Sequence, residues 1–323
     1  MSKKKSFGKI NGREAVVVGI IIAMIALFSI LSPTFRTYTT FTSVLDMSYY
    51  IALMAIGVTF PLITGGVDLS IGTGLICYSL FGGYLVVHKD VPVIVALLAC
   101  LILSILIGLL NGVLVAFMDL PPFLATLCTC MITRGLGSLL SGGFGVSWPS
   151  SLEAEGWFRN IFRITVDGQN IPVGIFVVVI LVLLMNFVLN HTKIGRYTIA
   201  IGSNKEATRL AGVNVKFYHV FAYVISGFFA GLAAIAYSGT YVTIYPGSGA
   251  GFELDAIGGA IVGGVSATGG VGSITGAFLG VLVITLMKVG LPFVGLQANW
   301  QQIFTGLVLI AAVMVDVVKK KKN

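Results

Sequence analysis

The sequence predicts an all-α integral membrane protein, a polytopic bundle of about ten transmembrane helices, some short or broken, with both termini cytoplasmic. Composition and one pattern predict it. Hydrophobic residues make up 57% of the 323 residues and charged residues only 10%, where average globular domains hold about 25% charged residues. Mean hydropathy is +1.00. This excludes a soluble globular chain, and also disorder, which needs low hydrophobicity and high net charge. The pattern is a succession of apolar runs bounded by Gly, Pro and charge, most of them close to the ~20 residues that cross a bilayer. The 41 Gly and 9 Pro fit, since membrane helices tolerate both. The net charge of +8 comes from basic residues at the ends and in one loop, so no nucleic-acid partner is expected.

The elements follow in order. A basic stretch, 1–14, carries Lys3, Lys4, Lys5, Lys9 and Arg13 ahead of the apolar run Ala15 to Leu31. Ser32-Pro33-Thr34-Phe35-Arg36 offers no small-x-small cleavage site, so the run reads as a retained first span with its N-terminus inside. The spans are expected near 15–32, 49–64, 70–87, 91–118, 122–141, 172–190, 217–239, 255–266, 274–290 and 301–318. Val91 to Met118 holds 28 residues without a charge. At about 42 Å that is longer than a bilayer core, so it must tilt, extend beyond it or break near Gly108. Residues 255–266 are too few to cross alone and read as half of a broken helix. Lys319 to Lys322 close a basic tail, 319–323, so both ends lie inside and the crossings are even in number. Six crossings then place 191–216 inside, and that loop holds Lys193, Arg196, Lys205, Arg209 and Lys216, as the positive-inside rule expects. The long loop 142–171 faces out, with Trp148 and Trp157 expected at the interface and Trp300 flanking the last span on the same side. The whole chain, 1–323, is expected to form one integral membrane domain. Gly108/Gly112, Gly227/Gly231, Gly259/Gly263 and Gly276/Gly280 are small-x-x-x-small pairs that let helices approach closely.

Few groups in the apolar stretches carry chemistry. Cys77, Cys100, Cys128 and Cys130 read as packed thiols, since Cys128 and Cys130 point to different helix faces and no other ligand stands at metal spacing. There is no G-x-x-x-x-G-K-[ST] loop, so any ATP used must be hydrolysed by another chain. Asp68 and Ser70, in Gly65-Gly66-Val67-Asp68-Leu69-Ser70-Ile71-Gly72, stand at a membrane break near a pathway or cap the next helix. Glu253 and Asp255 face an outer mouth or gate, meet a partner, or favour a helix start electrostatically. Asn111 bonds a neighbouring helix or lines the path. Arg134, late in its span, is expected to snorkel to the outer interface. This inventory suits a neutral polyol, which needs hydroxyl and amide partners rather than strong charges. Two other classes stay open. An ion-coupled secondary transporter would ask Asp68 and Asp255 to hold the ion. An intramembrane aspartyl protease would bring the same two together, although neither has a G-x-G-D context.

The loop His191 to Val213 is the most informative stretch. Ser203 or Asn204 can cap a short helix from Lys205 to Ala211, and Gly212 stops it. Ala207, Leu210 and Ala211 form one apolar face, suited to a groove in another protein or to the membrane surface. Gly195-Arg196, Ala200, Gly202, Asn204, Ala207 and Gly212 resemble a run shared by permeases of ATP-binding-cassette (ABC) sugar importers, the ribose/galactose branch. Glu206-Ala207-Thr208 with Gly212 looks like the E-A-A-x-x-x-G element of bacterial import permeases, with Thr208 in place of the second Ala. Further segments match in order: Gly66 to Gly72, Asn111-Gly112 followed by Pro122 to Leu127, Gly251 to Ile257, and Gly263 to Gly272. Gly258-Gly259 stands where the family usually has two Ala, and Val265 where it has Thr. The resemblance runs from about residue 30 to the end of the chain.

What the resemblance implies is a multi-pass subunit of the bacterial cytoplasmic membrane that breaks no covalent bond and binds no cofactor. ATP with Mg would act on separate cytoplasmic ABC ATPase subunits. An extracytoplasmic sugar-binding protein would deliver a monosaccharide, ribose-like or related. A second permease copy or paralogue would complete the pathway within the lipid. Coupling to the ATPase would fall on Gly195, Arg196, Asn204, Glu206, Ala207 and Gly212, and the path or gate on Asp68, Ser70, Asn111, Phe123, Glu253 and Asp255.

Overall fold

The computed structural model describes residues 12–166 and 168–322. Lys3, Lys4, Lys5 and Lys9 lie outside the described residues, as do the side chains of Arg13 and of Lys319 to Lys322. Among the described residues, 9 helices are long and apolar enough to cross a membrane. They are α1 (Gly12–Leu31), α2 (Tyr38–Ile63), α3 (Ser70–Lys89), α4 (Val93–Ala116), α5 (Pro122–Leu140), α6 (Gly174–His191), α9 (Val215–Thr240), α11 (Ile274–Phe293) and α12 (Ala298–Lys322). Two short helices, α7 (Lys193–Ser203) and α8 (Lys205–Leu210), join α6 to α9. The expected half-helix is α10 (Phe252–Val262), 11 residues long. Tyr241 to Gly251, ahead of it, is largely irregular, and Asp255 to Ile261 are buried in protein, where broken backbone is tolerated.

One span boundary needs correction. The second helix begins at Tyr38, not at 49. Thr37 caps it by accepting the Thr40 N–H at 3.3 Å. Its first turns are polar, but Thr40, Thr42, Asp46 and Ser48 are buried, so tertiary packing carries the helix where hydropathy does not. The long fourth run does not break at Gly108: it is one helix of 24 residues, trimmed by Pro92 and by the turn at 117–121.

The innermost helix is α2, buried on every side from Ser48 to Ile63. Around it, α3, α9 and α11 are mostly buried, while α1, α4, α5, α6 and α12 turn apolar faces outward. The four small-residue pairs mate two by two. A Cβ on Gly108 would lie 2.5 Å from the Tyr223 carbonyl oxygen, and one on Gly227 2.4 Å from that of Ser104, so α4 and α9 touch backbone to backbone. In the same way Gly263 sits on the Gly276 carbonyl and Gly280 on that of Gly259, joining α10 to α11.

Contacts gather the chain ends at one end of the bundle. The Gly270 N–H donates to the Ile63 carbonyl at 2.8 Å, at the end of α2. Ser273, opening α11, donates to Glu14 at 2.8 Å, and Asp316, late in α12, accepts from Ser266 at 2.8 Å and from the Ala267 N–H at 3.1 Å. Gly202 of α7 sits on the same Ile63 carbonyl, so α7 is at this end too. The opposite end is strapped by residues 142–171. There β1 (Val146–Ser147) pairs antiparallel with β4 (Thr243–Ile244), and β2 (Ile164–Val166) with β3 (Gln169–Ile171). Trp148 is not interfacial: it is buried, donates to the Ser79 carbonyl at 3.0 Å and packs on Phe158. Trp157 and Trp300 are exposed. Arg163 forms an ion pair with Asp46, and Arg159 donates to the Pro149 and Gly239 carbonyls at 2.6 and 3.2 Å. On the rim, the Ser150 N–H and hydroxyl hold the Glu153 carboxyl below its usual range.

Gly227→Leu would force α9 off α4. A loss of about 1–3 kcal/mol is expected, read as a lower midpoint in thermal unfolding of the detergent-purified protein; an unchanged midpoint would refute the backbone contact.

Candidate functional site

Four helices meet at one fully buried carboxylate. Gly65 and Gly66 turn the chain out of α2 and bring Asp68 to the start of α3. Its Oδ1 accepts the Ser70 N–H at 3.0 Å and the Ser70 hydroxyl at 2.6 Å, and its Oδ2 accepts the Ser226 hydroxyl of α9 at 2.7 Å. Asp68 therefore serves the start of α3 from one residue before the cap position, which Leu69 occupies. Asn111 of α4 donates from Nδ2 to the Ser70 hydroxyl at 2.8 Å and, at 3.5 Å, to Asp68. Its Oδ1 accepts from Thr129 of α5 at 2.7 Å. Thr126 and Tyr223 both donate to the Val67 carbonyl, at 3.3 and 3.4 Å. The sequence-expected trio Asp68, Ser70 and Asn111 is thus brought together, and Asn111 makes the interhelical bonds anticipated for it. Ser226 and Thr129 went unrecognised in the sequence, because hydroxyls are common in membrane helices and carry no spacing signal.

A second charged group lies at the start of α10. Asp255 is buried and forms an ion pair with Lys288 of α11. Gln301 of α12 donates to the Lys288 carbonyl at 2.9 Å. Lys288 was overlooked, although a single Lys inside the apolar run 274–290 was a legible signal. Glu253 packs on Gly72, where a Cβ would come 2.1 Å from its Oε2, and that buried oxygen has no hydrogen-bond partner among the described residues. Asp68 and Asp255 are not bonded to each other, and each is engaged by its own donors. These two carboxylates therefore do not form the proton-sharing pair of a protease.

Phe123 is exposed near the start of α5, and Cys128, exposed on the same helix, is a correction to the expectation of four packed thiols. Cys77 and Cys100 are buried. Among the described residues no cluster of His, Cys, Asp or Glu could hold a metal ion.

Of the two short helices, α8 follows its sequence signals closely, while α7 was not expected from the sequence. Asn204 accepts the Ala207 N–H at 2.9 Å, capping α8, and Gly212 ends it at φ 80°. Glu206 and Arg209 form an exposed ion pair of 2.8 Å. Ala207, Leu210 and Ala211 are all exposed, so the apolar face has no cover within this chain, while Thr208 turns inward. Arg196 is exposed on α7. Gly195 sits on the end of α6, where a Cβ would come 1.9 Å from the Leu189 carbonyl oxygen, and at Gly202 the same test against Ile63 gives 1.7 Å. The unit is therefore seated backbone to backbone on α6 and α2.

Residues 40–313 match the family model described as the permease component of a branched-chain amino acid transport system. The chain belongs to this permease family. It is 34% identical over 323 residues to the ribose import permease protein RbsC of Escherichia coli (strain K12), covering 98% of this chain and 97% of that one. It is 31% identical to the galactose/methyl galactoside import permease protein MglC of Haemophilus influenzae, covering 100% and 99% of the two chains. The fructose import permease protein FrcC of Rhizobium meliloti is 31% identical, over 93% of this permease and 84% of that relative. No solved structure matches the chain.

Removing one partner of the buried pair strands the other. Asp255→Leu or Lys288→Met alone is expected to cost about 3–5 kcal/mol, and the double variant to recover most of it. Unfolding midpoints of the three variants check this; additive losses would refute the pairing.

Proposed function

We propose that this permease is the membrane-spanning subunit of an ABC importer that carries a monosaccharide, ribose or a related sugar, across the bacterial cytoplasmic membrane. The chain itself is a transport subunit, not an enzyme, and ATP is hydrolysed on separate ATPase subunits. The observation that carries the reading is the α7–α8 unit: a short capped helix with a bare apolar face, seated on backbone, in a chain similar to sugar import permeases over nearly its whole length. The basic residues around it support a cytoplasmic position for this end.

The roles follow. The apolar face of α8 docks in a groove of the ATPase, with Glu206 and Asn204 fixing the helix and Arg196 at the rim. Closure of the ATPases pushes α7 against the ends of α2 and α6 through Gly202 and Gly195, which have no side chain to absorb the push. An external binding protein delivers the sugar to the opposite end, and a second permease copy or paralogue closes the route. Asp68, Ser70 and Asn111 act on that route as its fixed wall. Phe123, Glu253 and Asp255 belong to its moving or lining parts, with Asp255 held by Lys288.

The test uses the assembled complex in nanodiscs with a panel of loaded binding proteins. ATP hydrolysis should rise with one of them. Glu206→Arg and Gly212→Trp should keep basal hydrolysis while transport falls by roughly 5- to 100-fold, the range of ordinary coupling energies. Uptake driven by an ion gradient without any ATPase would overturn the assignment.

A further inference from the structure

The outward surface of the bundle is not uniformly suited to hydrocarbon. Around Leu106 of α4 and Ile180 of α6 it is apolar. On α5 it is not. Arg134, the thirteenth of the 19 residues of α5, is exposed, about 9 Å along the helix from its end at Leu140. A cleft of about 450 Å³ lies beside it, lined by Met131, Arg134, Gly135 and Ser138 of α5 and by Pro246 and Gly247.

A second observation falls on the same cleft. Pro246 and Gly247 belong to the irregular stretch ahead of α10, and two residues on, Gly249 packs against the Gly72 carbonyl oxygen, next to the buried start of α3. That start is bonded to Ser226, near the middle of α9, so the irregular backbone reaches well into the bundle. Backbone of this kind meets water or protein, never lipid. A guanidinium and non-helical backbone therefore share one opening that hydrocarbon is ill suited to fill. Phe123 lies on the Arg134 face of α5, about three turns away toward the coupling end.

We propose that this face of α5 is the wall of a water-filled solute route, and that Arg134 is a specificity-determining contact that donates to the hydroxyl oxygens of the passing solute. Its planar fork supplies several donors to a neutral polyol without requiring an anion. The inference rests on the transport reading above and adds the place where the solute runs. It goes beyond the snorkelling expected for Arg134 from the sequence.

The test is accessibility. A Cβ at Gly135 meets nothing within 4 Å, so Gly135→Cys is tolerated; Cys128 and Cys130 are replaced by Ser, and Ile180→Cys serves as the lipid-facing control. The probe is a membrane-impermeant cationic methanethiosulfonate added to the whole complex in nanodiscs. Gly135→Cys should react and lose uptake, and Ile180→Cys should not react. Arg134→Leu should lower the uptake rate by about tenfold, the worth of a charge-assisted hydrogen bond, with Arg134→Lys between it and the native chain. Gly135→Cys as inert as Ile180→Cys, or Arg134→Leu transporting at the native rate, overturns the proposal. Loss of ATP dependence in the unmodified complex would instead strike the importer reading, and labelling of Gly135→Cys would stand apart from it.

Discussion

A carboxylate shut inside an apolar bundle has to be met by donors or it cannot stay there, and Asp68 imposes that demand on four helices at once. Ser70 answers it from the first turn of α3, Ser226 from α9, and Asn111 from α4, with Thr129 of α5 holding the Asn amide in place. Each bond fixes a rotation and a depth as well as a distance. A small slide of α4 or α9 would leave a buried acceptor without a donor, which costs more than any single apolar contact on those helices gains. The glycines supply the other half of the constraint: Gly108 and Gly227 bring α4 and α9 close enough for the hydroxyls to reach.

The rest of the permease is arranged around that fixed region in parts that differ in stiffness. On one side, α7 rests on carbonyl oxygens of α6 and α2 with no side chain between. A displacement there is passed on as a displacement, because close-packed backbone deforms little. On the other, α10 is short, preceded by irregular chain, and tied to α11 by Asp255 and Lys288. Near the α7 end the two regions touch, where the Gly270 N–H meets the Ile63 carbonyl and Gly269 lies against Gly65.

Much of this was legible in the sequence, for definite reasons. Spans could be read where apolar runs are long, and α10 because its run is short. The cap and stop of α8 were legible because Asn204 and Gly212 act locally. What stayed hidden depends on partners distant in the chain. The start of α2 is polar and is helical only because the bundle buries it. Trp148 reads as interfacial until Gly82 and Gly83 are seen to make room for it. The four glycine pairs were plain as motifs, but which pair met which was not. One signal was present and passed over: Thr64-Gly65-Gly66-Val67 recurs as Thr268-Gly269-Gly270-Val271, each ahead of a Ser-Ile that opens a helix or its first turn. The two copies are the segments that pack together.

The separation in sequence between Asp68 and its donors has a bearing on how the molecule is made. Ser70 is two residues away, Asn111 is 43, and Ser226 is 158. A ribosome feeding this chain into the membrane delivers the acid first, and its last donor only after four more membrane helices, α3 to α6, have been threaded. In the interval the hairpin of α3 and α4 must shelter the group with Ser70 and Asn111 alone. The nascent chain thus carries a half-answered polar site through most of its synthesis, and arrival of α9 completes it. Assembly of the bundle is thereby ordered in time by the same atoms that hold it in space.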